Sequence, residues 1–95
     1  MPSERSIVTR LLRDLNALPK TYAVKQHGGP HGRAGMPDIM VISDGVVIFL
    51  EVKRPGGRLT KLQGHRLQEL RAAGAIAEVV TSVEQGLEVV RKATL

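Results

Sequence analysis

Cysteine and tryptophan are absent from this 95-residue chain, and Tyr22 and Phe49 are its only aromatic residues. The missing thiols remove disulfides and thiolate metal sites from consideration. With so few aromatics, of which Phe49 reads as core, a base-stacking platform for single strands is not expected. Contacts to backbone phosphates are the better expectation for any nucleic acid. No apolar run approaches the roughly 18 residues of a membrane span, and no signal-like start is present, so a cytoplasmic location is expected. Acid is also in deficit. Nine Asp and Glu stand against fourteen Lys and Arg, for a formal charge of +5. That balance points to a polyanionic partner, although many small basic proteins share it. With no repeat, linker or low-complexity tail, residues 1–95 read as a single domain with a modest core.

What is present centres on Pro37 to Arg54, PDIMVISDGVVIFLEVKR. Asp44-Gly45 between two apolar runs is a strong short-range hairpin signal. With a two-residue loop there, Ser43 faces Val46 and the register carries on until Asp38 lies opposite Glu51. Facing residues project from one side of a sheet with Cβ atoms about 4.5–5.5 Å apart, so two carboxylates repel unless a proton or cation sits between them. Lys53, two residues beyond Glu51, shares that face. Two acids and an amine at one end of a hairpin make a metal site with a base or charge stabiliser beside it. The competing reading is two separately solvated strand-end acids with Lys53 pairing one of them. The shared face and apolar surroundings favour the site. Met40, Ile42, Val47 and Phe49 lie on the Asp38 face, and Ile39, Val41, Ile48, Leu50 and Val52 lie on the other. Apolar residues on both faces predict a sheet covered by helices on both sides.

The remaining elements can be read in chain order. Ser3 to Leu18 predicts a helix with Ile7, Val8, Leu11, Leu12, Leu15 and Leu18 in its stripe, stopped by Pro19. Glu4 sits at the top of that stripe, where it either looks toward the sheet or compensates the helix dipole. Thr21 to His27 reads as a strand. The segment from His27 to Gly35 carries four glycines in its nine residues. Its backbone amides have room to approach a ligand, but it lacks the Lys-Ser/Thr of a phosphate-binding loop. Its histidines, His27 and His31, read as solvent-exposed rather than metal-bound, and His31 and Arg33 as phosphate contacts. After the turn at Arg54 to Arg58, Thr60 caps a helix running to Ala73 and closed by Gly74. Gln63 falls on its inward face with Leu67 and Leu70, as a site residue or as a boundary amide bonded to the backbone. Lys61, His65, Arg66 and Arg71 read as a basic outer flank. Ala75 to Val80 predicts a strand parallel to its neighbour, and Ser82 caps a last helix with Val83, Leu87 and Val90 inward. The fold class is therefore α/β, a small mixed sheet flanked by helices in the order α-β-β-β-α-β-α.

Gly35-Met36-Pro37-Asp38 followed by Glu51-Val52-Lys53 resembles the PD-(D/E)xK nuclease superfamily, and within it a stand-alone VRR-NUC domain (virus-type replication-repair nuclease). Glu4 and Gln63 match further motif positions, and the resemblance spans nearly the whole chain. It implies a restriction-endonuclease-like core and a metal-dependent endodeoxyribonuclease of a bacterial or phage-infected cell, with a role in DNA repair. Asp38, Glu51 and the Val52 carbonyl would hold Mg²⁺ or Mn²⁺, for which hard oxygen donors are suited. Glu4 would reach the same ion through water, or a second one. Lys53 would orient or deprotonate a water. Two neighbouring carboxylates oppose the loss of its proton, which favours positioning and charge stabilisation. Gln63 would hold the site or orient phosphate. Arg33, His31, Arg54, Arg58, Lys61 and Arg66 would contact DNA.

One site per chain cuts one strand, so symmetrical cleavage calls for a pair of chains. Together with the resemblance, this leads to the expectation of a homodimer resolving four-way (Holliday) junctions. The edge near Ala75 to Val80 and the first helix are candidate contact surfaces. The alternatives are a general or flap-type nicking nuclease, a sequence-reading restriction-type enzyme, and a non-catalytic DNA-binding module that kept the fold. The restriction type finds little room for a recognition subdomain in this length, and the intact Asp38, Glu51 and Lys53 set argues against the non-catalytic module.

Overall fold

The computed structural model of the protein describes residues 2–26 and 32–95. Their elements are α1 (Glu4–Asn16), β1 (Thr21–Lys25), β2 (Ile39–Ser43), β3 (Val46–Val52), α2 (Lys61–Ala72), β4 (Ile76–Val80) and α3 (Val83–Ala93). This is the expected order. The strands form one sheet, β1-β2-β3-β4, antiparallel except for the parallel β3–β4 pair. The hairpin register is set by its turn. Asp44 and Gly45 have φ values of 48° and 81°, so Ser43 pairs with Val46. Positive φ at both central positions is the type I′ geometry, whose twist matches that of the flanking strands.

Helices α1 and α3 cover one sheet face. Ser3 caps α1 by accepting the Ser6 N–H at 3.1 Å, and Ile7, Val8, Leu11 and Leu15 pack on Ile39, Val41, Ile48, Leu50 and Val52. Leu18 lies outside this stripe. The helix ends at Asn16, two residues before it, and Leu18 is exposed. The last helix brings Val83 and Val90 into the same core, with Leu87 at its border. Gly86 permits its close approach to α1, since a Cβ there would lie 2.5 Å from Leu11 Cδ2.

The opposite face is covered only in part, contrary to expectation. Because α2 links β3 to β4, it packs on that half of the sheet, placing Leu67 against Phe49 and Ala77 with Met36, Met40 and Leu70 around them. Toward the other edge, Tyr22, Ile42 and Val47 are direct cross-strand neighbours, and they remain 63%, 40% and 39% exposed. Alternating apolar residues fix which face a side chain occupies but do not reveal how wide a helix is laid over that face.

Both sheet edges are occupied by side chains. The Asn16 amide accepts the Ala23 N–H and donates to the Ala23 carbonyl, each at 2.9 Å, as a neighbouring strand would. On β4, Arg71 Nε donates to the Ala77 carbonyl at 2.8 Å, and its guanidinium lies 3.9 Å from Glu78. Arg71 is thus bound to the sheet edge rather than free in a basic flank. Such contacts discourage strand addition by another chain, and the Ala75 to Val80 edge is more polar than its sequence suggested.

The Gly86–Leu11 contact yields a stability prediction. Alanine at position 86 gains up to about 1 kcal/mol of helix propensity, but overpacking a filled core costs about 1–3 kcal/mol. Leu11 is fully buried, so it can yield to the added methyl only by displacing other core side chains, and Gly86→Ala should lower the denaturation midpoint. The loss should shrink in a Leu11→Ala background.

Candidate active site

The acids lie on the α2 face, at the end of the hairpin away from its turn and beside the start of α2. Past the last β2–β3 pair, Ile39 with Leu50, Asp38 takes over the ladder with both main chain and side chain. Its carbonyl accepts the Gln26 N–H at 2.7 Å, and its Oδ2 accepts the Val52 N–H, also at 2.7 Å. Asp38 is thereby pinned between β1 and β3. Glu51 is only 2% exposed and is flanked on β4 by Val79. Lys53 lies on the same face, with its side chain 12% exposed and Nζ 3.6 Å from Glu51 Oε2. The hairpin thus brings Asp38, Glu51 and Lys53 together as its register predicts.

Burial pushes the Glu51 carboxyl from an ordinary 4.5 up to about 8, helped by the charge of Asp38 and a hydrogen bond shared with it. Lys53 pulls in the other direction but does not prevail. A carboxyl buried beside a second one favours a proton or a cation at that position. The donors are oxygens, which suits a hard divalent ion that retains several waters. Among the described residues, no group of three or more His, Asp or Glu side chains converges as a metal cage.

Gln63 reconciles the two readings open to it. As the third residue of α2 it completes a capping box. Its N–H donates to Thr60 Oγ1 at 3.1 Å, and its Oε1 accepts the Thr60 N–H at 2.9 Å. With the oxygen committed to the helix cap, the amide nitrogen turns to Glu51 Oε2, a long contact of 3.5 Å. The same residue starts the helix and touches the acid. Glu4, the first residue of α1, meets the site through the main chain. Its Oε2 accepts the Arg54 N–H at 3.2 Å. Sequence reasoning missed the Val52 and Arg54 amides, because every residue but proline carries one and no side-chain pattern marks those that matter.

The basic residues divide into two groups. Arg33, Arg54, Arg58 and Lys61 are exposed, and the last three lie between β3 and the start of α2. Arg66 departs from the outer flank expected for it. Its side chain is 16% exposed, with Nε on the Ala34 carbonyl at 2.9 Å and Nη1 on Glu69 at 2.7 Å. Beside it, Gly35 has φ of 79°, and Leu62 Cγ lies 2.6 Å from where a Cβ would stand. Arg66 and Leu62 thus clamp the segment leading into Asp38, and the clamp needs glycine at 35. His27 and His31 lie outside the described residues.

The raised Glu51 pKa fixes a pH dependence for the metal-free protein. Between about 4.5 and 8 the folded chain retains a proton that the unfolded chain releases. Stability from this group is therefore fully present below 4.5 and declines as pH rises toward 8. A tenfold change in proton affinity corresponds to about 1.4 kcal/mol, so the loss reaches a few kcal/mol. In a chelator, Glu51→Gln should raise the melting temperature relative to the parent at pH 8 and change it little at pH 4.5. Thermal unfolding across that range checks both.

The chain matches the profile of the VRR-NUC domain over residues 6–84. A solved structure described as a VRR-NUC domain is similar at 27% identity and a TM-score of 0.74, covering 95% of this chain and 97% of the other. A second, described as a VRR-NUC domain protein, has a TM-score of 0.81 over 97% of this chain and 88% of its own. At 15% identity it supports the fold alone. No curated protein matches the chain. The profile match, extending from α1 through the acids to the start of α3, places this chain in the VRR-NUC domain family, with its nuclease-type fold.

Proposed function

We propose that the protein is a divalent-metal-dependent, structure-selective DNA endonuclease that acts as a homodimer on four-way junctions. The observation that carries the nuclease reading is the convergence on Glu51. A carboxyl this buried, against Asp38 and within 3.6 Å of the Lys53 ammonium, has little purpose as a surface charge. Perturbed ionisable groups of this kind concentrate where chemistry is done.

Asp38, Glu51 and the Val52 carbonyl would hold Mg²⁺ or Mn²⁺. When bound, such an ion supplies Lewis-acid polarisation of the phosphodiester and a water of lowered pKa. The chain's own groups arrange the displacement. Water oxygen adds to phosphorus and releases its proton to solvent as the P–O bond to the leaving oxygen breaks, and that leaving oxygen takes up a proton from solvent. Lys53 offsets charge accumulating on the phosphate oxygens and orients the water. Gln63 holds the Glu51 carboxyl in place from the α2 side. Arg33, Arg54, Arg58 and Lys61 are free to meet neighbouring phosphates. Arg66 serves first as the clamp on Ala34 and Gly35.

The junction and dimer proposals rest on the single inferred site: one site cuts one strand, so symmetrical cleavage of two strands calls for a second copy of it.

Asp38→Asn, Glu51→Gln and Lys53→Ala should each reduce Mg²⁺-dependent cleavage by at least about 100-fold while far-ultraviolet circular dichroism stays native. Full activity in any of the three removes its assigned role. A parallel assay on linear, flap and four-way-junction DNA, with sedimentation at micromolar protein, tests the substrate and the assembly. A monomer that nicks linear duplex as readily as a junction refutes both. DNA affinity should fall steeply with salt, and Arg33→Ala or Arg58→Ala should each reduce the log–log slope by about one.

A further inference from the structure

We infer that Thr60 is a positioning residue, which aims the Gln63 amide at Glu51 by capping α2. The consequence for cleavage rests on the nuclease reading, whereas the geometry does not. The Gln63 side chain has a single acceptor atom, Oε1, and the Thr60 N–H donates to it at 2.9 Å. That bond settles which end of the amide faces which way, because only the oxygen can accept. Nε2 is left to donate, and it lies 3.5 Å from Glu51 Oε2. The Lys53 ammonium lies 3.6 Å from the same oxygen. Two donors thus converge on one oxygen of a carboxyl that is almost fully enclosed.

Little besides the cap holds the start of α2. Lys61 and Leu62 are exposed, and Leu67, nearly two turns in, is the only buried residue of the helix. The first turn carries no acid, and Lys61 there opposes the helix dipole. Gly64 follows, and glycine is a weak helix former. The other two helices start differently. Each has an acid in its first turn, Glu4 or Glu84, and a buried residue among its first four, Ile7 or Val83.

The first turn of α2 therefore depends on Thr60. Its Oγ1 accepts the Gln63 N–H at 3.1 Å, which fixes the main chain of the residue whose side chain folds back on the Thr60 N–H. Without Oγ1 the first turn frays, and Gln63 Nε2 leaves Glu51 with it. Thr60 is exposed and acts on the acid only through Gln63. Removing a group that orients a metal-binding residue from behind costs about 10- to 100-fold in affinity or activity.

The test has two readouts. The first is the NMR signal of the Gln63 side-chain NH₂, followed in chelator. It should stand apart from that of glutamine in an unfolded chain and should shift in Glu51→Gln. It should collapse to the unfolded position in Thr60→Ala and return in Thr60→Ser. The second is Mg²⁺-dependent cleavage at a temperature where every variant is folded. Thr60→Ala should lower kcat/KM on the order of 10-fold, Thr60→Ser should recover most of that loss, and Thr60→Ala should cost nothing further in a Gln63→Ala background. Ser82 provides the matched control. It caps α3 in the same manner, accepting the Gln85 N–H at 3.1 Å, so Ser82→Ala loses a cap but should retain activity. A Gln63 signal unmoved in Thr60→Ala, full additivity with Gln63→Ala, or an equal loss in Ser82→Ala overturns the inference. If the parent cleaves no DNA, the nuclease proposal fails, while the NMR signal still decides whether Thr60 aims Gln63 at Glu51.

Discussion

Keeping a carboxyl at position 51 buried beside a second one is the constraint on which the site depends. Glu51 is almost fully enclosed, on a sheet face that is otherwise apolar. Burial disfavours its charged form and the neighbouring Asp38 adds repulsion. A cost of this kind persists only where the surroundings hold the group firmly. The surrounding groups come from every layer: the hairpin for Asp38 and Lys53, the start of α2 for Gln63, and α1 for the turn after Lys53. Neutralisation by a proton or by a divalent ion are two answers to the same electrostatic problem, which links the stability of the free protein to its proposed chemistry.

Main-chain amides do much of the positioning. Asp38 is held by Val52 N–H, Lys53 by Val80, and Glu4 reaches the site through Arg54 N–H. The α2 capping box serves in a similar way, since committing Gln63 Oε1 to Thr60 leaves its amide nitrogen to face Glu51. In a domain this small, a residue that both starts a helix and touches the site removes the need for a separate support.

The sheet is asymmetric. One face is closed by α1 and α3, while the other is covered by α2 over the β3–β4 half and bears the acids at the end away from the hairpin turn. Asn16 and Arg71 occupy the two edges, so association by sheet extension is opposed on either side.

Much of this was legible in the sequence because it is governed by short-range rules. Asp44-Gly45 determined the turn, the turn determined the register, and the period of two then placed Asp38, Glu51 and Lys53 on one face. Thr60 and Ser82 marked helix starts, and a helix between strands implied the parallel β3–β4 pair. What the sequence could not determine were the contacts between distant segments. It indicated that both hairpin faces were apolar, but not that α2 would leave Tyr22, Ile42 and Val47 open. It offered Arg66 as an outward base, whereas the fold turned it onto Ala34. It left Gln63 between two readings that the structure makes compatible, and it placed Glu4 at the site without its partner, the Arg54 amide fifty residues away. Periodicity assigns a side chain to a face, whereas the distance between segments remote in the chain is set only when the helices pack on the sheet.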